Sequence, residues 1–150
     1  MKNIETSIVI DAPIQKVWEV LMDFDAYPNW NSFIHPSGKA EVGSRLENKI
    51  FLEGMKPQVF KPKVLEVKAT QKFRWEGNLF IRGLFDGEHY FHLEKLNKNQ
   101  TKLIHGENFR GILVRLILRM IEEKTVDGFK RMNTELKQHC EATEPNPINE

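Results

Sequence analysis

The feature that most constrains the fold is a long segment near the C-terminus that has helical periodicity and contains no proline. Between Ile112 and Cys140, apolar residues recur every three or four positions, which is the spacing of one face of an α-helix. They are Leu113, Leu116, Ile117, Met120, Ile121, Phe129, Met132 and Leu136. A helix of this length extends roughly 40 Å at 1.5 Å per residue. It needs a broad surface to pack against, and most of the preceding chain has the pattern of strands.

Two details of this helix leave alternatives open. Gly128 lies in its middle and costs about 1 kcal/mol relative to alanine. It is either a tolerated glycine or a point where a strand approaches closely or the helix bends slightly over a pocket. Arg115 and Arg119 share one side of the otherwise apolar first half, 112–121, either as a solvated basic face or as a contact for an anionic ligand head or membrane lipid.

The chain before the helix alternates apolar and polar residues in several short runs. The first run, Ile4 to Ile10, predicts a strand. Proline at position 13 and the spacing of Val17, Trp18 and Leu21 predict a short helix, and a second short helix or turn follows at 27–31. Further strands are predicted at 45–52, 59–67, 72–77, 88–96 and 101–110. The predicted order is therefore a strand, two short helices, about six strands and the long helix.

Composition narrows the class of protein. A length of 150 residues is typical of one domain, which we place at 1–143 with a flexible tail at 144–150. The net charge of +1 argues against a nucleic-acid-binding protein. Cys140 is the single cysteine, so no internal disulfide can form. No signal peptide and no apolar run of about 20 residues is present, so we expect a cytoplasmic protein without a transmembrane segment.

The chain resembles the superfamily of START-like, birch-pollen-allergen-like domains, also called SRPBCC or polyketide cyclase/dehydrase-like. The resemblance covers residues 2–142 and is carried by Ile10-Asp11-Ala12-Pro13, Val17-Trp18, Asp23, Tyr27, Trp30-Asn31, Arg74-Trp75, Gly87-Glu88-His89-Tyr90-Phe91 and Glu107-Asn108-Phe109-Arg110-Gly111. It implies an α+β helix-grip fold, in which a seven-stranded antiparallel sheet curls around the C-terminal helix. It also implies two short helices after the first strand and a cavity between sheet and helix.

The last two predicted strands place polar residues among apolar ones. His89 alternates in phase with Phe91, and His105 and Glu107 alternate in phase with Phe109. If the aromatic residues face inward, the two histidines and the carboxylate do so too. His89 then lies opposite Glu107 or one pair away, with roughly 5 to 8 Å between their Cβ atoms.

A buried carboxylate beside two imidazoles has three interpretations. It can anchor the polar end of an otherwise apolar ligand, form a structural pair that satisfies itself, or serve as a catalytic acid and base, His89 and Glu107. A metal site made of both histidines and the carboxylate is not expected, because facing strands rarely supply that geometry. We therefore predict neither a metal nor a cofactor.

The candidate ligand-binding residues join these polar groups to apolar walls. Besides His89, His105 and Glu107, they are Trp30, Phe73, Trp75, Phe91, Phe109, Leu116 and Met120. The segment 79–85 is predicted to be a loop with unusually many apolar residues. This segment closes the cavity mouth, contacts the first half of the long helix, or forms the interface of a homodimer. The first half of the long helix is the other candidate for a homodimer interface.

The leading functional hypothesis is a binding or carrier protein for a small hydrophobic or amphipathic ligand. The first alternative, implied by the resemblance, is a cyclase/dehydratase-like enzyme, a lyase or isomerase that uses His89 and Glu107. The second alternative is an interaction module, since some relatives act on chaperones or on membrane-bound quinones and lipids. The sequence lacks a phosphate-binding loop, a nucleophile elbow and metal-type cysteine spacing.

Overall fold

The computed structural model describes residues 1–142, which form a curled antiparallel sheet and a long C-terminal helix. The elements are β1 (Lys2–Ile10), α1 (Ile14–Met22), a 3-10 helix (Phe24–Asn29), β2 (Ile34–Ser37), β3 (Glu47–Ile50), β4 (Gln58–Phe60), β5 (Lys63–Lys68), β6 (Lys72–Leu79), β7 (Phe85–Asn97), β8 (Gln100–Arg110) and α2 (Val114–Ala142). The predicted α+β class is confirmed, and so is the order of a strand, two short helices, further strands and a long helix. Seven described strands rather than about six lie between the short helices and α2, because β2 was not predicted and the strand predicted at 59–67 is divided into β4 and β5. The tail predicted at 144–150 lies outside the described residues.

The strands of residues 1–142 form two sheets, which corrects the expected single sheet of seven strands. One sheet has the order β1-β8-β7-β6-β5 and the other β2-β3-β4. The break falls at Pro62, between β4 and β5, because proline has no N–H to donate to a neighbouring strand. Backbone hydrogen bonds from Leu46 to Pro62 and from Val64 to Ser44, both 2.8 Å, still join the two sheets into one curved wall.

The C-terminal part of α2 lies along β1 and is attached to it by both packing and hydrogen bonds. Met132, Leu136 and Cys140 are fully buried in the shared core, and a buried Leu or Met side chain contributes about 1.5–3 kcal/mol. The amide of Asn133 donates to the hydroxyl of Thr6 at 2.8 Å, and the ammonium of Lys137 donates to the carbonyl of Val9 at 3.0 Å. The register of helix and sheet is therefore specified by polar contacts as well as by burial.

The first half of α2 is less buried than its sequence predicts. Leu116 and Met120 are 60% and 75% exposed, so the prediction that they line the pocket is wrong. Val114 and Leu118 are the buried residues of these turns. Each residue advances about 100° around a helix, so positions two residues further along point almost directly away from the core. Both sides of this half of the helix are apolar, so the sequence does not indicate which side faces inward.

The predicted loop at 79–85 is shorter in the structure. β6 continues through Leu79 and β7 begins at Phe85, so that only 80–84 connect the two strands. Phe85 is buried, whereas Phe80 and Ile81 are largely exposed. Phe80 has a φ of +68°, in the left-handed region that bulky residues seldom adopt. The tight turn therefore presents its two large apolar side chains to solvent.

Gly128 marks a close contact between α2 and the segment before β2. A Cβ atom at this position would lie 2.6 Å from Cδ2 of Phe33, inside van der Waals distance. The ring of Phe33 packs directly on the helix backbone and also contacts the ring of Phe129, with 5.7 Å between centroids. The interpretation of Gly128 as merely tolerated is therefore wrong.

We predict that Gly128→Ala destabilises the protein in spite of the better helix propensity of alanine. The gain of about 1 kcal/mol is offset by the cost of an overpacked core, typically about 1–3 kcal/mol, so we expect a net loss of up to about 2 kcal/mol. Urea unfolding measures it. Thr134→Ala, at an exposed position of the same helix, is the control and should be neutral or slightly stabilising. A Gly128→Ala protein more stable than wild type would contradict the close contact.

Candidate ligand site between the sheet and the long helix

A cavity of about 120 Å³ lies between the curved sheet and the middle of α2. Its sheet walls come from β6, β7 and β8 on one side and from β3, β4 and neighbouring residues on the other. The lining residues are Phe33, Asn48, Ile50, Leu52, Phe60, Trp75, Gly77, Asn78, Leu79, Phe85, Gly87, His89, Glu107, Phe109, Ile121, Thr125 and Phe129. The wall is therefore mainly apolar and aromatic, with a few polar groups, as is usual for small-molecule sites.

The pairing of β7 with β8 positions the two titratable residues of the lining. His89 lies directly opposite Glu107, and Phe91 lies opposite His105, which confirms the predicted alternation. Nδ1 of His89 is 3.3 Å from Oε2 of Glu107. On the neighbouring strand β6, the indole of Trp75 stacks on the imidazole of His89 with a centroid distance of 4.7 Å. The imidazole is thereby held in one plane between its partners.

A chain of hydrogen bonds continues from His89 away from the cavity. Its Nε2 is 2.7 Å from Nε2 of His105, which is fully buried. Nδ1 of His105 lies 2.8 Å from Oδ1 of Asn133 on α2. The amide nitrogen of Asn133 donates to Thr6 on β1, whose hydroxyl donates to the carbonyl of His105 at 3.0 Å. This polar chain links the cavity wall to the helix and to the first strand.

Burial keeps the three titratable groups of this hydrogen-bond chain, His89, His105 and Glu107, uncharged at neutral pH. It lowers the pKa of His89 to about 3 and lowers the pKa of His105 well below its usual value, an effect that repulsion from His89 reinforces. It raises the pKa of Glu107 to about 8. A neutral imidazole therefore faces a protonated carboxyl group.

Gly87 makes room for the carboxyl group of Glu107. The two residues lie on neighbouring strands, and a Cβ atom on Gly87 would overlap Oε1 of Glu107. Because Gly87 has no side chain, the carboxyl group of Glu107 occupies this space at the cavity wall, with 20% of the Glu107 side chain exposed. In the sequence, the only indication of this arrangement is a glycine at position 87, immediately before the strand predicted at 88–96.

Asn48 is a second polar point in the lining, and one that our sequence predictions missed. It is 1% exposed, and its Oδ1 has no hydrogen-bond partner among the described residues. Leaving a buried acceptor unpaired costs about 1–3 kcal/mol. The sequence could have predicted that Asn48 faces inward, because it alternates in phase with the apolar residues Leu46 and Ile50.

The predicted ligand-binding residues fall into three groups. Trp75, His89, Glu107 and Phe109 line the cavity. Phe73, Phe91 and His105 form the core behind that wall, with Phe73 and Phe91 in ring contact with Trp75. Trp30, Leu116 and Met120 lie elsewhere. The indole of Trp30 packs between Tyr27 and His139, with 4.7 and 5.9 Å between ring centroids, so its expected place on the pocket wall is wrong.

Sequence reasoning missed the wall formed by β3, β4 and their neighbours. Phe33, Ile50, Leu52 and Phe60 contribute to it, because the second sheet folds over the cavity. Within residues 1–142, no group of three or more His, Cys, Asp or Glu side chains is placed to hold a metal ion. In the same part of the chain, no helix is long and apolar enough to cross a membrane.

A curled antiparallel sheet, a long C-terminal helix and a cavity between them are the arrangement expected of a START-like fold. The sequence matches the family described as polyketide cyclase / dehydrase and lipid transport over residues 1–141, and the chain belongs to that family. The predicted resemblance is confirmed. A comparison with functionally curated proteins finds no match.

Solved structures share this fold at low sequence identity. The ZhuI aromatase/cyclase from Streptomyces sp. R1128 superposes with a TM-score of 0.77 at 13% identity, with 93% of each chain covered. A START superfamily protein from Mycobacterium smegmatis gives 0.71 at 16% identity, covering 95% of this chain and 99% of the other. Norcoclaurine synthase from Thalictrum flavum, in complex with dopamine and hydroxybenzaldehyde, gives 0.72 at 13% identity, covering 97% and 89%.

We predict that Glu107→Gln removes a pH-dependent loss of stability. The folded wild type keeps the Glu107 proton up to about pH 8, whereas the unfolded chain releases it near the ordinary value of 4.5. Between these values the unfolded state binds fewer protons, so the wild type loses stability as pH rises, by up to about 1.4 kcal/mol per pH unit. Glutamine cannot ionise, yet it can donate an N–H to His89.

Urea unfolding of both proteins across this pH range tests the prediction. The free energy of unfolding of Glu107→Gln, minus that of wild type, should grow with pH and level off above about pH 8. His89 and His105 contribute the opposite slope at lower pH, where the unfolded state binds more protons, so the comparison is read above about pH 7, where both imidazoles are mainly neutral in the folded and unfolded states. A difference that does not change with pH would mean that Glu107 is ionised throughout.

Proposed function

We propose that this protein binds a small, uncharged and mainly apolar molecule in the cavity between the sheet and α2. The observation that carries the proposal is Asn48, a residue of the cavity lining whose buried Oδ1 has no hydrogen-bond partner among the described residues. Rotation of the Asn48 amide toward the cavity would let a bound molecule supply that partner and cover the apolar wall at the same time. Glu107 would make the second polar contact.

The size of the cavity limits the ligand. A volume of about 120 Å³ is close to the approximately 150 Å³ of an engineered apolar cavity that binds benzene. A compound the size of one ring, or a short branched chain, therefore fits without rearrangement. A molecule with several fused rings would require Ile121 or the 80–84 turn to move.

The electrostatics of the wall favour a neutral ligand. Glu107 and His89 are the only titratable residues among those that line the cavity, and burial leaves both uncharged at neutral pH. A carboxylate or ammonium group on the ligand would lose its hydration and meet no opposite charge, which is costly in an apolar site. The ligand would therefore enter as a neutral molecule.

Catalysis is the second candidate function, and it would use the same groups. A carboxyl group with a pKa near 8 can exchange a proton with a bound carbonyl or hydroxyl at neutral pH. The family description and the aromatase/cyclase of similar fold support this alternative by analogy. Retained binding with lost turnover in Glu107→Gln would favour an enzyme, and a bound compound that no variant converts would favour a carrier.

We predict that Ile121→Trp abolishes ligand binding by filling the cavity. Ile121 lines the cavity from α2 and is only partly buried, so the larger ring can be accommodated. Toluene and phenol serve as probes of ring size, and methyl NMR titration measures binding. Displacing a ring from an apolar site should weaken binding at least about tenfold.

Ile117→Trp is the matched control for this experiment. Ile117 is also partly buried and lies one helical turn earlier, but it does not line the cavity. It should leave the affinity for both probes unchanged. Equal binding by the wild type and Ile121→Trp, or no binding of either probe by the wild type, would refute the proposed cavity function.

A second surface supports an additional role as an interaction module. We define the loop–helix patch as Phe80, Ile81, Ile112, Leu116 and Met120, all of which are largely exposed. Backbone hydrogen bonds from Ile112 to Gly83 and from Leu113 to Leu84, of 3.2 and 2.9 Å, hold the turn against the start of α2. The exposed apolar side chains therefore occupy adjoining parts of one surface.

The charge around the loop–helix patch indicates which partner it fits. Arg82, Arg115 and Arg119 are exposed within or beside it. Apolar side chains combined with arginines suit an anionic membrane surface, where each basic residue contributes about 1 kcal/mol. The patch also adjoins the cavity, because Leu79 and Ile121 of the lining precede Phe80 and follow Met120. Docking there would bring the cavity close to membrane-dissolved ligands.

We predict that the protein binds vesicles containing phosphatidylserine but not vesicles of phosphatidylcholine alone. Phe80→Ser and the double variant Arg115→Glu/Arg119→Glu should each reduce binding several-fold in a flotation assay, because they remove apolar insertion and charge attraction respectively. Val42→Ser removes an exposed apolar side chain outside the patch and should have no effect. A dimer that Phe80→Ser dissociates would instead identify a second copy of the chain as the partner.

A further inference from the structure

We propose that Asn133, together with the backbone carbonyl of Phe129, sets the direction of the hydrogen-bond chain behind the cavity, so that Glu107 presents an acceptor oxygen to the ligand. The ligand would then be a neutral compound with a hydroxyl or N–H donor, such as a phenol, rather than a ketone or an acid. This inference rests on the proposed binding function and specifies the ligand class of the same site.

The direction in which the hydrogen bonds donate is determined at the end of this hydrogen-bond chain that is furthest from the cavity, on β1. The hydroxyl of Thr6 has a single proton, which it donates to the carbonyl of His105 at 3.0 Å. Thr6 can therefore only accept from Asn133, whose amide nitrogen lies 2.8 Å away. This contact orients the amide, so that the oxygen of Asn133 faces His105.

Each following group then has only one arrangement. The amide oxygen of Asn133 cannot donate, so Nδ1 of His105, 2.8 Å away, carries the proton. In the neutral ring, Nε2 of His105 is consequently an acceptor. The 2.7 Å contact between the two Nε2 atoms therefore requires that His89 donates, which leaves Nδ1 of His89 as an acceptor.

The last step places the proton of Glu107. Nδ1 of His89 accepts from Oε2 of Glu107 at 3.3 Å, so the carboxyl proton is directed at the histidine. An ion pair is the competing arrangement, but burial opposes both charges, as the raised pKa of Glu107 and the lowered pKa of His89 show. His105 is also uncharged, and none of the cavity-lining residues of α2 is titratable.

The ligand consequently meets acceptors at both polar points of the cavity. Oε1 of Glu107 lies over Gly87 at the wall, and it is the carbonyl-type oxygen of the protonated group. Oδ1 of Asn48 is the other acceptor and is unpaired within the described residues. A donor on the ligand would satisfy either oxygen, whereas an acceptor would be repelled by both.

The binding test compares three ring-sized probes by methyl NMR titration: phenol, toluene and acetophenone. One net hydrogen bond is worth about 0.5–1.5 kcal/mol, so phenol should bind roughly three- to tenfold more tightly than toluene, and acetophenone no more tightly than toluene. Tighter binding of acetophenone than of phenol would overturn the inference while leaving cavity binding intact. If no probe binds, the proposed function fails together with its ligand class.

The direction of the chain has its own measurement, the nitrogen-15 NMR spectrum of the histidine side chains. We expect the proton on Nδ1 in His105 and on Nε2 in His89. The opposite pattern in either ring would overturn the inference whatever the probes do.

Thr6→Val tests the role of Asn133 as a positioning residue. Valine is nearly isosteric with threonine and removes the contact that orients the amide, at a half-buried site behind the core. The preference of the two histidines for one tautomer should weaken, because only the carbonyl of Phe129 then holds the proton on His105, and the preference for phenol over acetophenone should shrink. Ser7→Val, on the exposed face of the same strand, should change neither. An unchanged tautomer pattern in folded Thr6→Val would exclude this control by Asn133.

Discussion

The antiparallel register of β7 against β8 is the constraint on which the site depends. It places His89 opposite Glu107 and Phe91 opposite His105, so that one face of the hairpin carries both the apolar wall and the polar chain. A shift of β8 by one residue would turn His105 and Glu107 to the other face of the sheet, away from His89 and Phe91. The bulge in this pair lies near the turn, between Lys95 and Asn97, and leaves the register at the cavity intact.

A polar chain in an apolar core is tolerated because every described link in it has a partner. The imidazoles lie among Trp75, Phe91 and Phe129, which stack on them, and each ring nitrogen has a hydrogen-bond partner. Burial among aromatic rings keeps the histidines neutral. At the cavity end, Glu107 is partly exposed and Asn48 is unpaired among the described residues. Both of these polar groups belong to residues that line the cavity.

Much of the fold could be predicted from local patterns. Alternation in the last two strands predicted their facing residues, because side chains in a strand have a strict period of two. The long helix followed from its proline-free periodicity. Contacts between distant segments could not be predicted in this way. The packing of Phe33 on Gly128 and the folding of β3 and β4 over the cavity depend on tertiary structure.

The first half of α2 shows the limit of periodicity most clearly. Its two sides are almost equally apolar, so the sequence does not indicate which side is buried, and Leu116 and Met120 lie on the exposed one. Asn48 shows a different limit. Its polar side chain in an apolar phase was visible in the sequence, but only the structure reveals that it borders a cavity.

The helix α2 is held unevenly along its length, and this has a consequence for access to the cavity. Its C-terminal half is bound to β1 through Asn133 and Lys137, whereas its first turns bury little more than Val114 and Leu118. The cavity lies beneath the boundary between these halves, next to Ile121 and Thr125. The first turns are attached mainly by these two buried side chains and by the backbone hydrogen bonds of Ile112 and Leu113, so we expect a ligand that needs more room to displace them before the C-terminal half.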